Sequence, residues 1–483
     1  VITRWALAAL VALTLLRLFV AASVPLAPDE AYYWVWSRAL APGYPDHPPM
    51  VALWIRLGTT LVGDNRLGVR LLGPLSVAIA SLLLADAADR LLPGRHTGLR
   101  AAALLNATLL FGVGGVLMTP DAPLLVFWMA CLWALARMLA SGNAWWWLAI
   151  GLFAGLAMDS KYTAALLWFG IGLWLLVTPS MRAWLRRPAP WLGALLGLAV
   201  FLPVLLWEAR HDWPSFTRQG ARIAAWHPSD AVRFLAELAG GQAGLVTPLI
   251  FAFCVGGVVK TARQAWRTRD PAWTLLAALT LPAVMLFIQH ALGDRVQGNW
   301  PAVIYPAASI AAAGLSAPIW ERLFRPAVAL GLGVTLLVYL QAGIGLFPLP
   351  AGIDPIARQL AGWDSLADQV DAVARRAGAD FVAADQYGVG AELARTLPRD
   401  VTVIGVDGRW RSTGLPRAGD LAGRVGLLVS TRRDSEFDPA PWRDLTQLGP
   451  TARMRGDETV EAFRLYRVIM PENAADAVAL PRR

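Results

Sequence analysis

The chain has 483 residues, of which 56% are hydrophobic and 16% charged, with a mean hydropathy of +0.48. A soluble domain is nearer to roughly 45–50% apolar and about 25% charged; apolar runs recur almost to residue 346, more than a signal peptide or one anchor supplies, so a soluble enzyme is excluded. The net charge of +9 is unevenly divided, with 25 basic and 15 acidic groups in residues 1–346 against 18 and 19 in residues 347–483, so the excess belongs to the membrane part and argues against a nucleic-acid partner.

In chain order the hydropathy predicts eleven spans, near 5–26, 67–88, 99–118, 122–139, 145–158, 162–179, 190–207, 242–260, 272–291, 301–317 and 327–346. Alternate connections carry the cations: Arg90, Arg95 and Arg100; Arg137; Arg182, Arg186 and Arg187; Lys260, Arg263, Arg267 and Arg269; Arg322 and Arg325. The positive-inside rule makes these cytoplasmic. The opposite side collects 11 of the 15 acids of the membrane part, and an odd number of spans puts the C-terminal region outside, in the periplasm of a bacterial inner membrane.

Two outer loops are long. The first, 27–66, contains AYYWVWSRAL and MVALWIRLGTTLVG, too short to span but amphipathic enough to lie as interfacial helices. The second, 208–241, is polar and aromatic, suited to touching headgroups or a lipid substrate. No internal repeat is visible, which lowers the case for a transporter built from two related halves. Cys131 and Cys254 fall inside apolar runs and form neither a disulfide framework nor a metal site.

The expected organisation is therefore an α-helical integral membrane bundle, residues 1–346, followed by a small α/β domain, residues 347–483. In the latter, the runs DFVAAD, VTVIGV and GRVGLLVS alternate with the helical patterns SLADQVDAVARRAG and GAELARTL. Its glycines form no GxGxxG turn, so no nucleotide site is expected.

Charged groups at the edge of a span are costly and are functional candidates. Asp29 and Glu30 end the first span, and seventeen residues later GYPDHPPM supplies Asp46 and His47 ahead of two prolines that stiffen the chain. Among 41 Arg there are two Lys; Lys260 sits in a basic cluster, whereas Lys161 lies at an outer helix end, where a compact ammonium suits a phosphate and pairing with Asp159 is the competing role. Arg210, Arg218 and Arg222 in the second loop are further anion ligands, with ordinary headgroup contact as the alternative. The acids Asp29, Glu30, Asp46 and Asp121 are compatible with a divalent cation, and the histidines show no zinc spacing.

DEAYYW followed by DHPP resembles the polyprenyl-phosphate-sugar glycosyltransferases of the GT-C class, the protein O-mannosyltransferase and lipid A aminoarabinose transferase superfamily. MTPDAPLLVFW around Asp121, MDSKYTA around Lys161, WEARHDWPSFTRQG around His211, GNWPAVIYPA around Asn299 and Trp300, and Gly362–Trp363 are similar to the family in the same order. The resemblance implies a GT-C fold with its site just outside the outer leaflet, a polyprenyl (undecaprenyl) phosphate sugar donor, and a lipid, glycan or protein acceptor. It maps the family's base onto Asp29 and its further acidic positions onto Asp46 and Asp121, with Glu30 beside the base as a fourth candidate catalytic carboxylate; Lys161, His47, Arg210, Arg218 and Arg222 are the candidate donor-phosphate ligands by residue type and place in the chain. Tyr32, Tyr162, His211, His290, Arg295, Asn299 and Trp300 are candidate substrate contacts, with hydrogen bonding or interface packing as the competing role of the histidines and aromatic-belt anchoring that of Asn299 and Trp300. His47 stands where the aminoarabinose enzymes carry a phosphate-binding Lys. The competing functions are a flippase of lipid-linked sugars, which needs ionisable groups near the midplane of several spans, and a membrane scaffold, which needs no DE…DHPP pair.

Overall fold

A computed structural model describes residues 3–94, 96–218, 227–431, 442–472 and 477–483. They fall into two compact units: Val1–Val20, His47–Val51 and Arg70–Tyr339 form the first, and Ala21–Asp46, Ala52–Val69 and Leu340–Arg483 the second.

The first unit is helical. Among the described residues six helices are long and apolar enough to cross a membrane: Arg4–Ser23, Arg66–Leu91, Asp121–Ser141, Pro188–Arg210, Pro271–Ala291 and Pro318–Ile344. They cover six of the eleven expected spans. A seventh, 242–260, falls on two helices, Pro228–Val246 and Pro248–Thr268, bent by 110° at Thr247, whose φ of 66° no helix accommodates. Of the other four, helix Trp146–Met158 matches the expected 145–158 run, and the remaining three are shorter than the expected runs or broken within them. The 99–118 run becomes helices Thr97–Asn106 and Leu109–Gly112, because Thr108 leaves the helix to cap Phe111 N and the glycines of GVGG then turn the chain. Trp146–Met158 and Ala165–Val177 have 13 residues each, about 20 Å of helix, and the last run is a 3₁₀ turn, Trp300–Ile304, leading into Tyr305–Ala313.

Small residues let these helices touch. Gly151 and Gly155 face Gly193 and Gly197 across the contact of helices Trp146–Met158 and Pro188–Arg210, and a Cβ on Gly151 would collide with the Gly193 carbonyl. Arg17, a cation within the first apolar helix, is buried and donates to Asn106 Oδ1 at 3.0 Å, while Asn106 Nδ2 donates to Ser81 Oγ at 2.8 Å. A charge that would be expensive facing lipid is thus spent on a polar chain between helices.

The second unit holds a six-stranded mixed sheet: β1 Phe381–Ala384, β2 Thr402–Gly405, β3 Val425–Ser430, β4 Leu445–Arg455, β5 Glu458–Ile469 and β6 Val478–Ala479, in the order β4-β5-β3-β1-β2-β6. β1 pairs in parallel with β2 and β3, and all four of its residues are buried, as expected for a strand covered on both faces. The expected strands and the two helices, Trp363–Arg376 and Tyr387–Thr396, are present; the β4–β5 hairpin closes the sheet beyond them.

The same unit contains the first-loop helices Pro28–Arg38 and Met50–Val62 in its greater part. Trp34 Nε1 donates to Asp64 at 2.8 Å, and Arg395 lies 4.6 Å over the Trp34 ring and 3.7 Å from Asp64. Burial pulls the Arg395 guanidinium down to about 10, opposed by Glu392 and Asp64. Residues 21–46 and 52–69 therefore pack with the C-terminal segment.

Candidate active site

The first-loop acids are organised by the start of helix Pro28–Arg38. Proline at its first position needs no amide donor, and carboxylates in the first turn complement the helix dipole. Successive helical residues point about 100° apart, so the two adjacent acids face different surroundings. Glu30 is fully buried and turns back to accept the Ala27 amide at 2.9 Å, whereas Asp29 stays exposed.

Three residues of the C-terminal segment complete this cluster. Tyr387 Oη donates to Asp29 Oδ1 at 2.8 Å, Arg409 lies 3.5 Å from Asp46 and 4.0 Å over the Tyr387 ring, and Trp410 packs edge-on to Tyr32 at 5.1 Å. Tyr32 in turn donates to Asp46 Oδ2 at 3.0 Å. Desolvation by the protein packed around its carboxyl raises the Asp29 pKa above the ordinary carboxylate range although the residue keeps a solvent-exposed side; the Tyr387 hydrogen bond and Arg409 oppose the rise, and Asp46 and Glu30 add to it. Burial lowers Arg409, but Asp46, Tyr387 and Tyr32 more than offset this and leave it raised.

A second cluster lies in the first unit. Lys161, buried at the turn after helix Trp146–Met158, pairs with Asp121 at 2.8 Å, and Asn299 Nδ2 donates to the other Asp121 oxygen at 2.6 Å. Asp121 starts its helix and Lys161 follows another, so the pairing joins three distant motifs. Lys161 pairs with Asp121 and not with its neighbour Asp159. Asp159 keeps one buried oxygen without a hydrogen-bond partner, and burial raises its pKa to about 7. Its carbonyl accepts the Met50 amide at 3.1 Å, tying the chain just after Pro48–Pro49 to the Asp159–Lys161 turn. Beside these, Tyr162 donates to Glu208 at 2.9 Å, and the Ser215 amide donates to the second Glu208 oxygen at 3.3 Å.

The remaining expected residues are more dispersed. His47 is half-buried between Asp46 and the prolines. His211 stacks on Trp207 at 4.4 Å, Arg210 ends its helix with an exposed side chain, Arg218 is half-buried, and Arg222 lies outside the described residues. Arg295 pairs with Glu237 at 2.9 Å, and His290 lies 5.5 Å from Trp300. Among the described residues no group of three or more His, Cys, Asp or Glu is arranged to hold a metal: Glu30 is turned onto Ala27, and Asp121 is taken by Lys161 and Asn299. Sequence reasoning left out Tyr387, Arg409 and Trp410, and its only hint was an aromatic and basic DGRW in an otherwise ordinary segment. Asp159 and Glu208 were visible as outer acids, without a sign that they are partly or fully buried.

The chain is 30% identical over 377 residues to the lipid A galacturonosyltransferase RgtD of Rhizobium johnstonii, covering 76% of this chain and 77% of that protein. It belongs to the GT-C polyprenyl-phosphate-sugar glycosyltransferases. The family described as dolichyl-phosphate-mannose-protein mannosyltransferase matches this transferase over residues 46–207. The undecaprenyl phosphate-alpha-4-amino-4-deoxy-L-arabinose arabinosyl transferase of Pseudomonas aeruginosa is 29% identical over 314 residues, 58% of this chain and 53% of its own. Among solved structures, ArnT from Cupriavidus metallidurans bound to undecaprenyl phosphate shares the fold with a TM-score of 0.62 at 17% identity, over 95% of this chain and 97% of that one.

As a glycosyltransferase the protein needs a base for the acceptor hydroxyl and cationic donors for the departing phosphate. Each cluster holds side chains of one of these chemical types. Asp29 is an exposed carboxylate with a raised pKa, and Lys161 has three donors, of which Asp121 takes one. The flippase reading gains nothing from these relatives, whose names are those of transferases.

Proposed function

We propose that the protein transfers a sugar from an undecaprenyl-phosphate donor to a lipid acceptor of the lipid A type, at the outer face of a bacterial inner membrane. The names of the relatives support the donor and acceptor classes, and the sidedness of cations and acids supports the orientation. In this reading the four short apolar helices, with their flanking turns, and the bent pair join the six long helices in eleven passes, and the sheet-bearing C-terminal segment is periplasmic.

Asp29 takes the proton of the acceptor hydroxyl as its oxygen attacks the anomeric carbon. The bond from that carbon to the phosphate oxygen breaks, the configuration inverts, and polyprenyl phosphate leaves with the bonding pair. Asp46 and Asp121 orient hydroxyls, and Lys161, with His47 and the loop arginines, stabilises the phosphate. The observation that carries the base assignment is Asp29 itself: exposed, raised in pKa and hydrogen-bonded by a tyrosine, while its neighbour Glu30 is buried as a cap. A higher pKa makes a carboxylate a better proton acceptor.

The test is sugar release from radiolabelled undecaprenyl-phosphate sugar by purified protein in detergent, without vesicles. Asp29→Asn is expected to lose about 10²-fold or more in rate with an unchanged unfolding temperature. Transfer at the wild-type rate by the folded variant would remove Asp29 as the base, and release that occurs only in sealed vesicles would favour transport.

A further inference from the structure

A cavity of about 420 Å³ opens at the far end of helix Pro248–Thr268, away from the acidic clusters in sequence and within the first unit. Its wall is one face of that helix. Gly256, Val259, Lys260, Arg263 and Arg267 recur at spacings of three and four, and Trp320 from the start of helix Pro318–Ile344 closes the opposite side. The lining changes character along the helix axis. Gly256 has no side chain, so the Trp320 ring comes so close that a Cβ there would lie 2.9 Å from it; Val259 adds apolar surface one turn on. Over the next two turns the lining becomes cationic, the whole stripe from 256 to 267 covering about 16 Å.

The cations are not neutralised from within. Lys260 donates to the Gly314 carbonyl at 2.6 Å and lies 5.4 Å over Trp273, which fixes its position without cancelling its charge. Among the described residues neither Arg263 nor Arg267 has an ion pair. The nearby carboxylates are occupied: Glu321 by Arg100 at 2.5 Å, and Asp270 by the amides of Ala272 and Trp273. Arg90 and Arg137, in the connections assigned to the same side, share Asp86.

We infer that this slot binds the phosphate headgroup of an anionic glycerophospholipid, with the Arg263 and Arg267 guanidinia on the phosphate and an acyl chain along Gly256, Val259 and Trp320. Guanidinium suits phosphate because its fork donates two parallel hydrogen bonds. The apolar wall selects a phosphate that carries a chain over a free anion, and basic pockets between membrane helices on the cytoplasmic side are known headgroup sites. Placing the slot on the cytoplasmic side rests on the orientation proposed above; the binding itself does not.

The experiment uses the full chain in phosphatidylcholine nanodiscs titrated with phosphatidylglycerol, bound lipid being counted by native mass spectrometry. One saturable site is expected. At about 1 kcal/mol per cation, Arg263→Gln with Arg267→Gln weakens it about thirtyfold. Arg322→Gln with Arg325→Gln removes the same charge outside the slot and is expected to change binding less than about threefold. Val259→Ser makes the apolar wall polar and is expected to weaken phosphatidylglycerol with both arginines intact; Val259→Ala tests the same wall if that variant does not fold. Equal losses in the two arginine pairs would reduce the effect to diffuse surface charge and overturn the site. Displacement of the lipid by inorganic phosphate alone would make it an anion site only, and tighter binding of undecaprenyl phosphate than of phosphatidylglycerol would reassign it to the carrier lipid; either result sinks the glycerophospholipid assignment.

Discussion

The Tyr387 hydroxyl donates a 2.8 Å hydrogen bond to Asp29 Oδ1, linking a helix of the C-terminal segment to the first acid of the chain's first loop. The bond favours the ionised carboxylate and opposes the rise that the surrounding protein imposes, and Arg409 acts in the same sense. With Asp29 as base, transfer is fast only above its pKa. Tyr387→Phe removes one restraint and moves that pKa up, so the acid limb of the rate profile shifts to higher pH. A loss of several-fold is expected at the acid end, disappearing at high pH. Arg409→Gln is expected to shift the limb in the same direction. The pH dependence of transfer checks both, and a loss that is the same at every pH would leave Tyr387 with a packing role only.

Lys161 and Asp121 offer a thermodynamic cycle. Their side chains are 8% and 13% exposed, so removing one partner leaves a charge with little water to take its place. Lys161→Met is expected to cost about 3 kcal/mol of stability. Adding Asp121→Asn is expected to recover most of it, because two neutral groups of similar size bury cheaply. Activity separates the roles: if the double variant unfolds like wild type but stays inactive, at least one of the two acts on the substrate, and if it regains transfer, the pair is architectural. Thermal unfolding in detergent and the radiolabel assay are the two measurements.

Much of this was legible in the sequence because it depends on local composition. Six long helices follow from hydropathy, three parallel strands from β-branched runs, and the acidic first loop from carboxylates that have no business at a span edge unless they are used. What failed to show depends on distance in the chain. The break in the 99–118 run turns on Thr108 capping its own helix and on glycines that a hydropathy average reads as neutral. Lys161 reaches Asp121 across 40 residues, whereas proximity in sequence suggested Asp159. Tyr387 meets Asp29 across 358 residues, a pairing that no spacing rule can signal. The buried half of the Asp29–Glu30 pair was hidden for a different reason, since only the start of the helix decides which carboxylate turns inward.

The Gly362–Trp363 pair, which the family resemblance singled out, has a structural reason. Gly362 has a φ of +82°, and a Cβ on it would lie 2.8 Å from the Met454 backbone nitrogen and oxygen. Trp363 supplies the ring over which Arg453 lies at 4.1 Å while that guanidinium donates to the Ala361 and Arg358 carbonyls and to Glu461. Gly362→Ala therefore meets both an unfavourable backbone and a backbone contact, and is expected to cost at least about 2 kcal/mol. Gly378→Ala, with a φ of +63° and open space around the added carbon, bears the backbone cost alone, about 1 kcal/mol. Equal losses in the two variants would show that the Met454 contact yields without strain.

Asp159 leads to a pH-dependent stability of unusual sign. Burial raises its carboxyl to about 7, against a value near 3.9 in an unfolded chain. Between those values the unfolded chain carries the charge and the folded protein the proton, so the group favours folding below about pH 4. That contribution is lost progressively up to about pH 7 and is flat above it. Carboxylates such as Asp354 act oppositely: burial would raise it, but Gln341, the amides of Ala357 and Ile356 and Arg455 hold it low, so its contribution disappears on acidification. Wild-type stability alone mixes the two signs, and the difference between wild type and Asp159→Asn isolates one. The variant is expected to gain on the order of 2 kcal/mol relative to wild type between pH 4 and pH 8, less than the full shift implies because the side chain is not wholly buried. Unfolding temperatures across that range measure it. A difference that does not grow with pH would mean that Asp159 ionises normally in the folded protein, with its second oxygen satisfied by water or by a bound group.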